Sequence, residues 1–204
     1  FHRYSTDKEW QIPHFEKMLY DQAGLVRAYT EAYQVTGEAK YAAVARETMD
    51  FVLRDMTSPE GPFTSAWDAD SEGVEGKCYV WTPEEVEPLL GAEAYPLFAA
   101  RYSITKAGNF HEFPGKTHLQ FGKSLAQLSK SSGKTEAELE AIFADCRAKL
   151  FAVREKRVPP LHDDKLLTDW NGLMIGSAAV AGRGLSEPAY LQAAIKAADF
   201  LVKT

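Results

Sequence analysis

Cysteine is nearly absent: Cys78 and Cys146 are the two among 204 residues. They are too few and too far apart for a disulfide scaffold or a CxxC redox site, and they fit a reducing, cytoplasm-like compartment. Positive charge is short as well. Lys and Arg number 23 against 29 Asp and Glu, a net charge of −6, whereas a general nucleic-acid surface needs a basic field. No apolar run is long enough to span a membrane, and no signal-peptide pattern opens the sequence. A cytoplasmic location is therefore expected, with neither nucleic acid nor membrane as partner. The HExxH, GxSxG, P-loop and dinucleotide patterns are all missing, so the sequence implies no metal and no cofactor.

What is present is ordinary core material. Apolar residues make up 45%, aromatic residues 12% and charged residues 25%, a composition that folds rather than stays disordered. The length suits one large domain or two small ones. Phe1 begins inside a motif, and Thr204 closes an apolar-periodic helix with no stop signal. The chain is thus expected to be a piece of a longer protein.

Residues 14–35 read as a helix, with Phe15, Met18, Leu19, Gln22, Leu25, Val26, Tyr29 and Tyr33 at three- and four-residue steps. Pro13 precedes it and Gly37 follows it, each where a helix tolerates them. Residues 39–56 form a second helix, and the short link implies an antiparallel hairpin. Residues 61–67 and 77–81 suggest two short strands around an acidic, glycine-rich loop from Asp68 to Gly76. Thr82-Pro83-Glu84-Glu85 and Thr135-x-x-Glu138 are capping boxes. The second opens a helix reaching about residue 154. Helical turns are expected near 94–102 and 123–130, with 103–122 irregular. Residues 169–183 and 188–203 make another hairpin. A shift of 149 sets Tyr41 on Tyr190, Ala45 on Ala194 and Phe51 on Phe200, which suggests a repeated hairpin stacked in a solenoid or ring.

Three polar stretches could carry chemistry. The first is His2 to Asp21, where a helical wheel puts His14 and Asp21 together at one edge of the apolar arc. A histidine there meets a carboxylate and works as acid or base, or simply caps the helix. The second is Asp68 to Gly76. Asp68-x-Asp70-x-Glu72-Gly73 imitates the opening of a calcium loop but has Tyr79 at the twelfth position, where a glutamate is needed. Paired carboxylates also do acid/base work or grip sugar hydroxyls; a solvated hairpin tip is the plainer reading. The third is His162 to Gly172, where Asp169 suits a helix cap and Trp170 suits either ring stacking or core packing. His111 and His118 show no ligand spacing and read as surface residues.

These stretches carry a resemblance. Phe1-His2-Arg3-Tyr4-Ser5-Thr6-Asp7, with Trp10 and the run from Pro13 to Ala23, resembles the hallmark of the DUF255 family, the YyaL-like, spermatogenesis-associated thioredoxin-domain proteins. Ser65 to Gly73 with Tyr79-Val80-Trp81 is similar to a second family segment, and Asp163-Asp164-Lys165 with Trp170 to Ile175 to a third. The sequence departs from the pattern at Trp67, where an acidic residue is expected, and at His111, which interrupts a Gly-Asn-Phe-Glu segment.

The resemblance implies a mainly α fold: a partial (α/α)6 toroid of helical hairpins with a small β-hairpin near residues 63–81. Residues 1–204 would be one fragment of that toroid, resembling the N-acylglucosamine 2-epimerase and six-hairpin glycosidase folds, with an amino-terminal thioredoxin-like domain and the rest of the toroid outside this chain. It implies carbohydrate chemistry by epimerisation, isomerisation or hydrolysis, with a small carbohydrate as ligand. His14, Asp68, Asp70 and Asp164 are then the catalytic candidates. Arg3, Tyr20, Asp21, Glu72, Lys165 and Asn171 are the substrate-binding candidates, and Trp170 is the stacking platform. The competing reading is a non-catalytic binding or scaffold domain whose partner is the thioredoxin-like domain. An open half-ring exposes apolar edges, so self-association is expected.

Overall fold

A computed structural model describes residues 1–111 and 113–203. The elements run β1 (Tyr4–Ser5), β2 (Pro13–His14), β3 (Lys17–Met18), α1 (Leu19–Thr36) and α2 (Ala39–Asp55). Next come β4 (Ala66–Trp67), β5 (Asp70–Ser71), β6 (Val74–Glu75) and a 3-10 turn at Lys77–Tyr79. They are followed by α3 (Pro83–Arg101), α4 (Leu125–Ser132), α5 (Glu136–Arg154), β7 (His162–Asp163), α6 (Thr168–Gly184) and α7 (Pro188–Lys203). The fold is mainly α with small antiparallel strand pairs, as expected. No helix among the described residues is long and apolar enough to cross a membrane. The chain divides into two compact units: residues 1–4, 14–69 and 161–204, and residues 5–13 and 70–160.

In the first unit α1 packs on both α2 and α6, and α6 packs on α7. Leu19 and Val26 of α1, Met49 and Val52 of α2, and Met174 of α6 are wholly buried. Ala45, Ala178, Ala181 and Ala197 fill the lines where the helices approach, because small side chains let backbones come close. The two expected hairpins are present. Ala45 and Ala194, paired by the 149-residue shift, are both buried. Polar ties join the hairpins across the sequence. Arg46 Nε donates to Glu187 at 2.7 Å, and the Tyr190 hydroxyl donates to Asp50 at 2.8 Å. Gly37 stops α1 in the left-handed conformation (φ 70°) and donates its N–H to the Tyr33 carbonyl, which a side chain there would strain.

The start of α1 differs from the sequence reading. Helix begins at Leu19, not near residue 14, because residues 16–19 are claimed by distant backbone. Arg3 N–H donates to Glu16 O, and Leu19 N–H to Ser65 O, both at 2.9 Å. β3 pairs with β4, Lys17 facing Trp67, and β4 pairs with β7, Trp67 facing His162. Helical periodicity is blind to such long-range partners.

In the second unit α3, α4 and α5 enclose Trp81, Val86, Phe98, Leu128, Leu139, Phe143 and Cys146. Both expected capping boxes form, at Thr82 and Thr135, and a third forms at Ser124 with Gln127. Gly91 breaks α3 (φ 78°, ψ 166°). The expected strands are redrawn here. The acidic stretch is itself a tight hairpin, Asp70 facing Glu75, because Glu72 (φ 52°) and Gly73 (φ 76°) both take positive φ, as a two-residue primed turn requires. Residues 77–79 form a 3-10 turn, and Trp81 joins Thr117 in a single bridge. His111 is exposed as read, but His118 is half-buried. Burial pushes its proton affinity below that of a free histidine, against a bond to the Gln11 backbone.

Candidate functional site

The polar residues of the first unit gather where α1 begins. His2 and His14 flank this region on extended chain. The ring nitrogen Nδ1 of His2 donates to the Phe15 carbonyl at 2.8 Å, which fixes that histidine to the backbone. His14 lies in β2 with its ring stacked on Tyr4 (centroids 4.8 Å, planes 21° apart). Its Nε2 stands 3.5 Å from Glu16 Oε2, the same oxygen that takes Arg3 Nη1 at 3.1 Å. One carboxylate therefore serves a histidine and a guanidinium together. Glu16 and Tyr20 hold the Arg3 guanidinium above its ordinary pKa.

Asp21 sits in the first turn of α1, where the helix dipole favours a negative charge. Burial nevertheless raises its pKa, with Arg3 opposing and Glu16 adding to the rise. Its Oδ2 is buried and has no hydrogen-bond partner among the described residues. Native proteins rarely leave such an atom. Beside it, Tyr20 meets Trp170 edge to face (centroids 4.8 Å, planes 77° apart). Both rings are partly buried, and Trp170 packs against the hydrophobic core.

The third motif divides between surface and scaffold. Asn171 is wholly buried. Its Oδ1 accepts from the Phe63 N–H at 2.8 Å, and its Nδ2 donates to the carbonyls of Phe63 (2.8 Å) and Leu167 (3.1 Å). The amide is fully occupied by backbone. Lys165 Nζ pairs with Asp163 at 2.8 Å. Asp164 is exposed just after β7, and Asp68 is exposed just after β4. The antiparallel register of these strands sets Asp68 and Asp164 at opposite ends of the ladder. Asp68 Oδ1 accepts from the Ala69 N–H at 2.6 Å.

Asp70 and Glu72 belong to the second unit. Asp70 is exposed on β5, and Glu72 pairs with Lys77 at 2.9 Å. The structure thus brings Arg3, His14, Tyr20, Asp21 and Trp170 together in one unit, and leaves Asp68 and Asp164 apart on its small sheet. Trp67, the departure from the acidic pattern, donates its indole N–H to the Asp55 carbonyl at 2.9 Å and stacks on His162 (4.4 Å, 5°). Sequence reasoning overlooked Glu16 as the link. An extended reading of residues 13–18 exposes it, since alternate residues of a strand share a face.

A chain of packed helical hairpins with its polar residues at a helix start is the class of molecule this geometry defines. No family model matches the sequence. The chain is 38% identical over 223 residues to spermatogenesis-associated protein 20 of Homo sapiens and, equally, of Mus musculus, a match covering 98% of this chain. An uncharacterised protein of Caenorhabditis elegans is 32% identical over 225 residues. These homologues carry the family name to which the sequence motifs pointed. The chain spans 28% of the length of the mammalian relatives and 31% of the nematode one.

Proposed function

We propose that this chain is a carbohydrate-directed segment of a larger toroidal protein, acting by acid/base chemistry at the start of α1. One observation carries the reading: a buried, unpartnered carboxyl oxygen on Asp21, set beside the Arg3–Glu16–His14 cluster and the Tyr20–Trp170 wall. Burial raises the Asp21 pKa and so favours the protonated form, the form that can donate. His14, oriented by Glu16, is the complementary base. Arg3 orients hydroxyl or carbonyl oxygens, and the aromatic wall takes the apolar face of a sugar ring. Asp68 and Asp164, at opposite ends of the small ladder, stand outside this site.

Calorimetry with a panel of neutral mono- and disaccharides tests this. At least one sugar is expected to bind with a Kd of order 1 mM, and Asp21→Asn and Trp170→Ala are each expected to weaken it about tenfold. Solvent-deuterium exchange into the bound sugar is expected to stop in His14→Ala. A panel without any binding counts against the reading.

The second reading, a scaffold domain serving a thioredoxin-like partner, draws on Asn171 and Lys165, whose polar groups are already matched inside the chain. Sugar binding weakened in Asp21→Asn would set it aside.

A further inference from the structure

We propose that the second unit holds a binding site for the phosphoryl group of a small phosphorylated molecule. A cavity of about 360 Å³ opens there, walled by the β5–β6 hairpin, the 3-10 turn, the loop before α4 and the chain leaving α5. Lys77, Lys116, Lys156 and Arg157 line it, against two carboxylates, Glu72 and Glu85. The cavity therefore carries an excess of two positive charges in a chain whose net charge is −6.

The two carboxylates are already matched. Glu72 pairs with Lys77 at 2.9 Å. Glu85 lies 3.6 Å from Arg157 and accepts the Thr82 N–H at 2.9 Å within its capping box. Lys116 and Lys156 have no carboxylate partner among the described residues. Two lysines without a carboxylate partner thus line one hollow, the Lys116 ammonium lying 5.4 Å from the centre of the Phe113 ring.

The frame around these charges is fixed. Arg157 Nη1 donates to the carbonyls of Cys78 and Val80, both at 2.8 Å, and its guanidinium lies 3.8 Å from the centre of the Trp81 ring. Lys116 sits on a pinned loop whose carbonyl accepts from both Asn109 and Phe110. That loop needs Gly108, where a Cβ would come 2.2 Å from the Lys116 oxygen. The buried residues Ser71 and Cys78 are also in the cavity's lining.

A phosphoryl group carries about −1.5 to −2 at neutral pH, which equals the excess positive charge. Ammonium groups bind it as mobile point charges, while Arg157, whose Nη1 is taken by two backbone carbonyls, adds its charge to the field. The volume sets the size, since cavities of a few hundred Å³ take small molecules. This site rests on second-unit residues alone and stands independently of the sugar chemistry proposed above.

The test is calorimetry of the purified protein with glycerol 3-phosphate, with glycerol as the control and circular dichroism confirming that each variant folds. Glycerol 3-phosphate is expected to bind and glycerol not to. Lys116→Ala and Lys156→Ala, both surface changes, are each expected to weaken binding about tenfold, and Lys156→Glu to abolish it. No binding by the unaltered protein overturns the proposal. So does binding that the lysine variants leave unchanged, or equal binding of glycerol.

Discussion

Asn171 shows how a residue suited to a substrate ends up in the scaffold. An amide at a helix start next to a tryptophan is a reasonable sugar ligand, but here the Asn171 side chain is wholly buried and Phe63 offers it both backbone groups. Asn171→Ala leaves those two groups buried without partners, at a cost of about 3 kcal/mol, and thermal melting is expected to fall by about 10 °C. Asp21 is the opposite case. Its raised pKa means that the charged form is disfavoured in the fold, so stability increases as pH falls through that pKa. Asp21→Asn is therefore expected to melt above the unaltered protein at pH 8, with the gap closing at acid pH, while sugar binding weakens about tenfold. His118 gives the third residue-scale expectation. Its folded pKa is lowered from 6.5, so the folded state takes up fewer protons than the unfolded one. Stability is lost as pH falls below about 6.5, and His118→Gln is expected to flatten that limb of the melting profile.

At the scale of elements, what is local is readable and what is long-range is not. The capping boxes at Thr82 and Thr135 are encoded within four residues, and both form with the expected side-chain bonds. Thr135→Ala is expected to cost about 1 kcal/mol, seen as a lower melting temperature with unchanged fold. The helical hairpins are equally plain, because apolar spacing and glycine stops are local signals. Residues 13–18 mislead, since their apolar spacing suits a helix while Ser65 and Arg3 hold the backbone extended. That single displacement hides Glu16 and turns the His14–Asp21 pairing of the helical wheel into a His14–Glu16 pairing. The acidic stretch misleads for a related reason. Its glycines read as loop, whereas Glu72 and Gly73 make a hairpin turn that carries Glu72 and Ser71 to a cavity wall.

At the scale of the whole molecule, the division into two units separates residues that the motifs place close together. Asp68 and Asp70 are two apart in sequence, yet each belongs to a different unit. The sequence motifs treat the polar stretches alike. They did not distinguish the carboxylates that gather at the start of α1 from those that line the second unit's cavity, because that sorting depends on backbone pairing across a hundred residues. The central claim is that Tyr20, Asp21 and Trp170 form one wall of a sugar site. The indole N–H resonance of Trp170, assigned by comparison with Trp170→Phe, tests it most directly. On saturation with a sugar taken from the calorimetric panel, that resonance is expected to shift while the indoles of Trp67 and Trp81 hold still. A bound sugar that leaves the Trp170 signal in place, or moves the others instead, contradicts the account.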